Sequence, residues 1–114
     1  MHTVKERSAL NFRMANPDDI PVLAAIRQKQ LIDEGSVPGV PIEAELIRYF
    51  EAAMADCSLV QWVVEDVGEI VATGAIIFYN FPPSFSNPSG KRGYIANMYT
   101  RDDYRGRGLA SQLL

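Results

Sequence analysis

Two runs rich in valine, isoleucine and aromatic residues, Leu59 to Glu65 and Ile70 to Tyr79, flank the segment Asp66-Val67-Gly68. β-Branched and aromatic side chains suit a pleated, half-buried surface, and a short segment ending in glycine can reverse the chain between two such runs. A β-hairpin is therefore expected, and the rest of the chain must pack against it.

The residues before the hairpin have helical periodicity. Leu10 to Met14 is long enough for a short first strand, which runs into Asn16-Pro17-Asp18-Asp19. Asn16 can cap exposed amides, Pro17 suits a first helical turn, and Asp18-Asp19 read as helix-start acids. Ile20, Leu23, Ala24 and Leu31 then fall on one stripe with Ile26 at its flank, and Gly35 to Val40 breaks the pattern. From Pro41 a second helix carries Ile42, Leu46, Tyr49, Phe50 and Ala53 on one face, with Glu43 and Glu45 near its positive end. Both helices are expected to cover one side of a sheet.

After the hairpin, Asn80 to Gly93 holds three prolines, three serines and two glycines and reads as a loop, within which Phe81-Pro82-Pro83-Ser84-Phe85 could equally gate a pocket or lie on the surface. Tyr94 to Thr100 is expected to be a strand. A short acidic turn, Asp102-Asp103, precedes Arg105-Gly106-Arg107-Gly108-Leu109-Ala110, and Ser111 to Leu114 look helical. That helix ends on Leu113-Leu114 without a glycine cap or polar stop, so the chain is expected to stop inside it. One α/β domain spanning 1–114 accounts for the pattern, and a hydrophobic content of 47% is enough for a core.

Charge and cysteine usage narrow the function. A formal charge of -3 argues against a general nucleic-acid binder, whose footprint is strongly basic. Cys57 is the only cysteine, which forbids an intrachain disulfide and fits a reducing, cytoplasmic compartment; it is expected to be a buried, inert thiol. His2 is the only histidine, so neither a Ser-His-Asp triad nor a histidine metal cluster is expected. The N-terminus has no apolar signal core, and no apolar run is long enough to span a bilayer.

Arg105 to Ala110 carries the chemistry. It sits where a strand hands over to a helix, where unpaired amides and the positive dipole end can hold a pyrophosphate. Gly106 and Gly108 lack a Cβ and let a phosphate approach the backbone, and Arg105 and Arg107 add charge. A Walker loop would need Gly-Lys-Ser/Thr at its end, and a dinucleotide fingerprint would need three spaced glycines after the first strand. Neither pattern is present.

Arg105, Gly108 and Ala110 match the pattern Gln/Arg-x-x-Gly-x-Gly/Ala that follows the fourth strand in GNAT acetyltransferases. Tyr94-Ile95-Ala96-Asn97-Met98-Tyr99-Thr100 resembles that strand, Asp102-Asp103-Tyr104-Arg105 resembles its connection, and the order of elements agrees. The resemblance implies an α/β (α+β) fold, a mixed and mostly antiparallel sheet flanked by helices, continuing in the family beyond Leu114. It implies acetyl-CoA as co-substrate, an amine acceptor, and no metal. By the same resemblance the backbone amide of Met98 would polarise the thioester carbonyl, as preorganised donors do for a developing oxyanion. Met98, Tyr99 and Thr100 would pair with pantetheine. Arg105, Gly106, Arg107, Gly108, Leu109, Ala110 and Ser111 would hold the pyrophosphate. The glutamate that some members use as base aligns with Tyr94, so no catalytic side chain is assigned. Tyr94, Tyr99 and Trp62 are expected to be sheet-packing aromatics. The alternative is an inactive form that self-associates, as a homodimer for instance, through an exposed fourth strand.

Overall fold

Asn16 starts the first helical segment by a reciprocal cap. Its side chain accepts from the Asp18 amide at 2.9 Å, and the Asp19 carboxylate accepts from the Asn16 amide at 2.8 Å. In the computed structural model, which describes residues 10–109 and 112, this cap joins strand β1 (Leu10–Met14) to a 3-10 turn (Pro17–Asp19) that continues as helix α1 (Ile20–Asp33). Helix α2 (Glu43–Ala55) follows, then strands β2 (Leu59–Asp66), β3 (Glu69–Asn80) and β4 (Lys91–Thr100), and a second 3-10 turn (Asp102–Tyr104). All four strands are antiparallel neighbours in the order β1-β2-β3-β4.

The hairpin turns on Val67 and Gly68, at φ +50° and +79°. Two consecutive left-handed residues form the turn whose twist matches that of paired strands, which is why glycine sits second. β4 begins at Lys91, three residues before the expected Tyr94, because the Phe81 amide bonds to the Gly90 carbonyl at 2.7 Å and closes the loop early.

The two helices do cover one face. Ile20, Leu23, Phe50 and Ala53 pack on Leu59, Val63 and Ala75, all at most 5% exposed. Strand period puts Leu59, Gln61 and Val63 on that face, paired across the ladder with Ile77, Ala75 and Thr73. Tyr49, expected on the buried stripe of α2, is 42% exposed and stands edge-on to Phe50. The opposite face buries Val64, Val71, Ala72 and Leu109, with Leu10 and Tyr104 against them. Val71 is an extra residue in β3, since Val64 pairs with Ala72 and Glu65 with Ile70.

Cys57 corrects the sequence reading: it is exposed and adopts φ +63° just beyond the end of α2. It occupies the left-handed position that closes helices, ordinarily glycine's, and this location puts its side chain outside the core. Among the described residues no helix is long and apolar enough to cross a membrane.

Candidate active site

β4 leaves its ladder in one place. Thr73 pairs with Tyr99 and Ala75 with Ala96, so Gly74 alone faces two residues of β4, Asn97 and Met98. This is a β-bulge, and its first residue, Asn97, has φ +53°. Asparagine tolerates the left-handed region better than other residues with a Cβ, which is why it can stand here inside a strand.

Side chains take up the bulge's backbone groups. Thr73 Oγ1 donates to the Asn97 carbonyl at 2.7 Å, and Gln30 Nε2, from α1, donates to the Met98 carbonyl at 2.7 Å. Gln61 Nε2 donates to the Gly74 carbonyl at 3.1 Å, and Asn97 Nδ2 reaches Gln61 Oε1 at 3.4 Å. Thr73 and Gln61 are 1% and 2% exposed, so these are polar groups buried with their partners supplied.

Beside the bulge lies a cavity of about 420 Å³, lined by Gln30, Asp33, Glu34, Met98, Tyr99, Thr100 and Arg105. Four residues singled out in the sequence, Met98, Tyr99, Thr100 and Arg105, therefore share one wall. Gln30, Asp33 and Glu34 come from the end of α1, and nothing local in the sequence pointed to them. Tyr99, expected to pack in the sheet, faces this cavity half-buried, and Trp62 is half-buried in β2. Tyr94, also expected to pack, is 61% exposed on the edge strand. The Phe81-to-Phe85 segment contributes nothing to the cavity wall.

The glycine-rich turn continues from the cavity. Gly106 and Gly108 have φ +84° and +68°, and Gly106, Arg107 and Gly108 are exposed. Gln112 donates its backbone amide to the Gly108 carbonyl four residues earlier at 3.1 Å, and Leu109 and Gln112 are both helical. Leu109 turns its side chain into the core and fastens the end of the turn to the sheet, which leaves its backbone as the part able to face a ligand. Ala110 and Ser111, also assigned to the pyrophosphate, and the Leu113-Leu114 end lie outside the described residues.

Tyr104 holds the turn in place. Its hydroxyl donates to the Asp66 carboxylate at the hairpin, and the guanidinium groups of Arg101 and Arg107 lie 4.9 and 4.7 Å from its ring centre. The bond to Asp66 raises the phenol's pKa above the ordinary tyrosine value, because ionising it would remove the shared proton. Arg105 pairs with Asp102 at 3.1 Å and donates to the Thr100 carbonyl at 3.1 Å; Arg101 pairs with Asp103 and Glu69. Among the described residues Arg107 makes no ion pair, so its charge is the least compensated in the turn. If this turn binds an anion, Tyr104→Ala should weaken acetyl-CoA binding by about tenfold through loss of the arginine platform and the anchor, whereas Tyr104→Phe should stay within about threefold. Calorimetric titration of both variants checks this.

The sequence profile of the acetyltransferase (GNAT) family matches residues 24–114. A predicted acetyltransferase with acetyl-CoA from Clostridium acetobutylicum superposes with a TM-score of 0.87 at 46% identity, covering 91% of this chain and 68% of that one. A GCN5-related N-acetyltransferase from Ralstonia eutropha gives 0.81 at 26% identity, covering 91% and 70%. Glucosamine-6-phosphate N-acetyltransferase from Arabidopsis thaliana, at 23% identity and a TM-score of 0.64, covers 91% and 68% and shares the fold. A search of curated proteins returned no match.

Proposed function

The chain belongs to the GNAT family of N-acetyltransferases, and from that premise we propose that it moves the acetyl group of acetyl-CoA to a primary amine of a small molecule or protein by direct attack. The observation that carries this reading is the β4 bulge at Asn97 and Met98, which opens on the same cavity as Thr100 and Arg105 and leads to two left-handed glycines. An elongated thioester with an anionic end matches that sequence of features: backbone donors along a strand edge, then exposed amides with arginine charge.

In this reading the Met98 amide donates to the thioester oxygen and steadies the negative charge that grows there. Backbone groups of Met98, Tyr99 and Thr100 align the pantetheine arm. Arg105 to Ser111 hold the pyrophosphate. The unprotonated amine attacks the carbonyl carbon; a carbon–nitrogen bond forms, the carbon–sulfur bond breaks, the amine loses a proton and the departing thiolate gains one. Positioning supplies most of the acceleration, and no side chain is assigned as the base. Tyr94 is four residues before Met98 on β4, roughly 13 Å along the strand. In the same reading the chemistry uses no metal, and the lone Cys57 supports a reducing, cytoplasmic compartment.

Titrating the chain with acetyl-CoA and with coenzyme A in a calorimeter tests the reading. Both are expected to bind, after which a panel of amines identifies the acceptor; absence of binding by either sinks the assignment. A second reading, an inactive form that pairs with another copy, draws on the place of β4 at the edge of the described sheet, with Tyr94 and Ile95 61% and 57% exposed. Multimers on a sizing column, with no turnover of acetyl-CoA, would favour it.

A further inference from the structure

The bulge carbonyls have an unusual set of partners. Asn97 and Met98 have no opposite residue of their own in β3, and their carbonyls are taken instead by Thr73 Oγ1 and Gln30 Nε2, each at 2.7 Å. A peptide unit is planar and trans, so the carbonyl of one residue and the amide of the next point in opposite directions from a single rigid plate. Fixing the Asn97 oxygen therefore fixes the Met98 N–H, aimed away from Thr73. Fixing the Met98 oxygen fixes the Tyr99 N–H in the same way.

We propose that Thr73 is a positioning residue: its hydroxyl, by holding the Asn97 carbonyl, orients the Met98 amide toward the thioester before acetyl-CoA arrives. Gln30 does the same for the Tyr99 amide. The inference rests on the acetyl-CoA reading above and adds to it a residue that touches no ligand. Three observations make Thr73 suited to the role. It is 1% exposed, so its rotamer is held by packing. Its donor is committed to a backbone carbonyl. Gln61, 2% exposed, donates to the Gly74 carbonyl opposite the bulge and accepts from the Asn97 side chain, so Asn97 is tied at a second point besides its carbonyl.

A positioning role separates from a structural one by ligand. Acetyl-CoA has the thioester oxygen that the Met98 amide would meet, and coenzyme A lacks it. Thr73→Val keeps the shape of the side chain and removes the donor; Thr73→Ser keeps the donor and removes a methyl group. Calorimetry on the full chain should show acetyl-CoA binding weakened about five- to tenfold in Thr73→Val, the scale of one misaligned hydrogen bond, with coenzyme A within about twofold of the parent. Thr73→Ser should bind both ligands as the parent does. If Thr73→Val fails to fold, Thr73→Cys, a weaker donor of similar volume, takes its place with the same expected selectivity. Equal weakening of both ligands, unchanged binding of both, or a Thr73→Ser variant that behaves like Thr73→Val would overturn the proposal. If the parent binds neither ligand, the acetyl-CoA reading itself fails and this inference falls with it. If the parent binds both while Thr73→Val loses no selectivity, only the inference fails.

Discussion

Replacing Gly108 with valine is expected to weaken acetyl-CoA and coenzyme A binding by at least about 100-fold, while the fold loses only about 1–2 kcal/mol. Gly108 has φ +68°, a conformation a β-branched residue resists, and its carbonyl accepts from the Gln112 amide. Forcing that residue toward negative φ rotates the amides that follow. If two backbone donors to a pyrophosphate are misdirected, each a charge-assisted bond of about 1.5–3 kcal/mol, the loss exceeds a factor of one hundred. The fold is spared because the turn is exposed: a Cβ at Gly108 would meet only the end of the Gln112 side chain, at 3.9 Å. Titration calorimetry alongside urea denaturation measures both quantities. Unchanged affinity in Gly108→Val would defeat the phosphate-turn assignment without touching the family assignment.

Asp19→Ala is expected to cost about 2–3 kcal/mol of stability, below the range of about 3–5 kcal/mol for breaking a fully buried pair because these side chains are 11% and 26% exposed. Asp19 receives both terminal nitrogens of Arg13, at 2.7 and 2.9 Å, and the Asn16 amide at 2.8 Å. The same guanidinium donates through Nε to Glu65 on β2. One carboxylate thereby ties β1 to the start of α1, and its loss leaves Arg13 with Glu65 as its single carboxylate partner. The bond from Arg13 holds the Asp19 carboxyl below the usual carboxylate value. A depressed folded-state pKa gives stability that is fully present above the unfolded value, near pH 4, and lost as pH falls through the folded value. Denaturation at pH 7 and at pH 3 should therefore show a smaller difference between parent and Asp19→Ala at the lower pH. An equal difference at both would remove Arg13 as the cause.

How much of this was legible beforehand varies by element. Periodicity marked both helices, the hairpin runs marked β2 and β3, and Asn16-Pro17 marked the start of the first helical segment; each rests on interactions within a few residues of chain. The start of β4 was misjudged because Lys91 to Gly93 have no strand character of their own and are recruited by pairing with Phe78 to Asn80. The burial expected for Cys57 failed for a related reason: residue type alone said inside, while its position after the last turn of α2 put it outside.

Local chemistry in the sequence determined the hairpin, the capped helices and the arginine-glycine turn, because two-residue turns, caps and left-handed glycines depend on neighbours along the chain. The family match likewise needed only spacing and order. The tertiary structure alone decided where the strand opens and what holds it open. Register with β3 places the bulge at Asn97 and Met98, and only chain folding brings Gln30, Gln61 and Thr73, separated in sequence by up to 68 residues from the atoms they bond, beneath it. Those contacts follow from the packing of α1, β2 and β3 around the bulge of β4, and no local propensity encodes them.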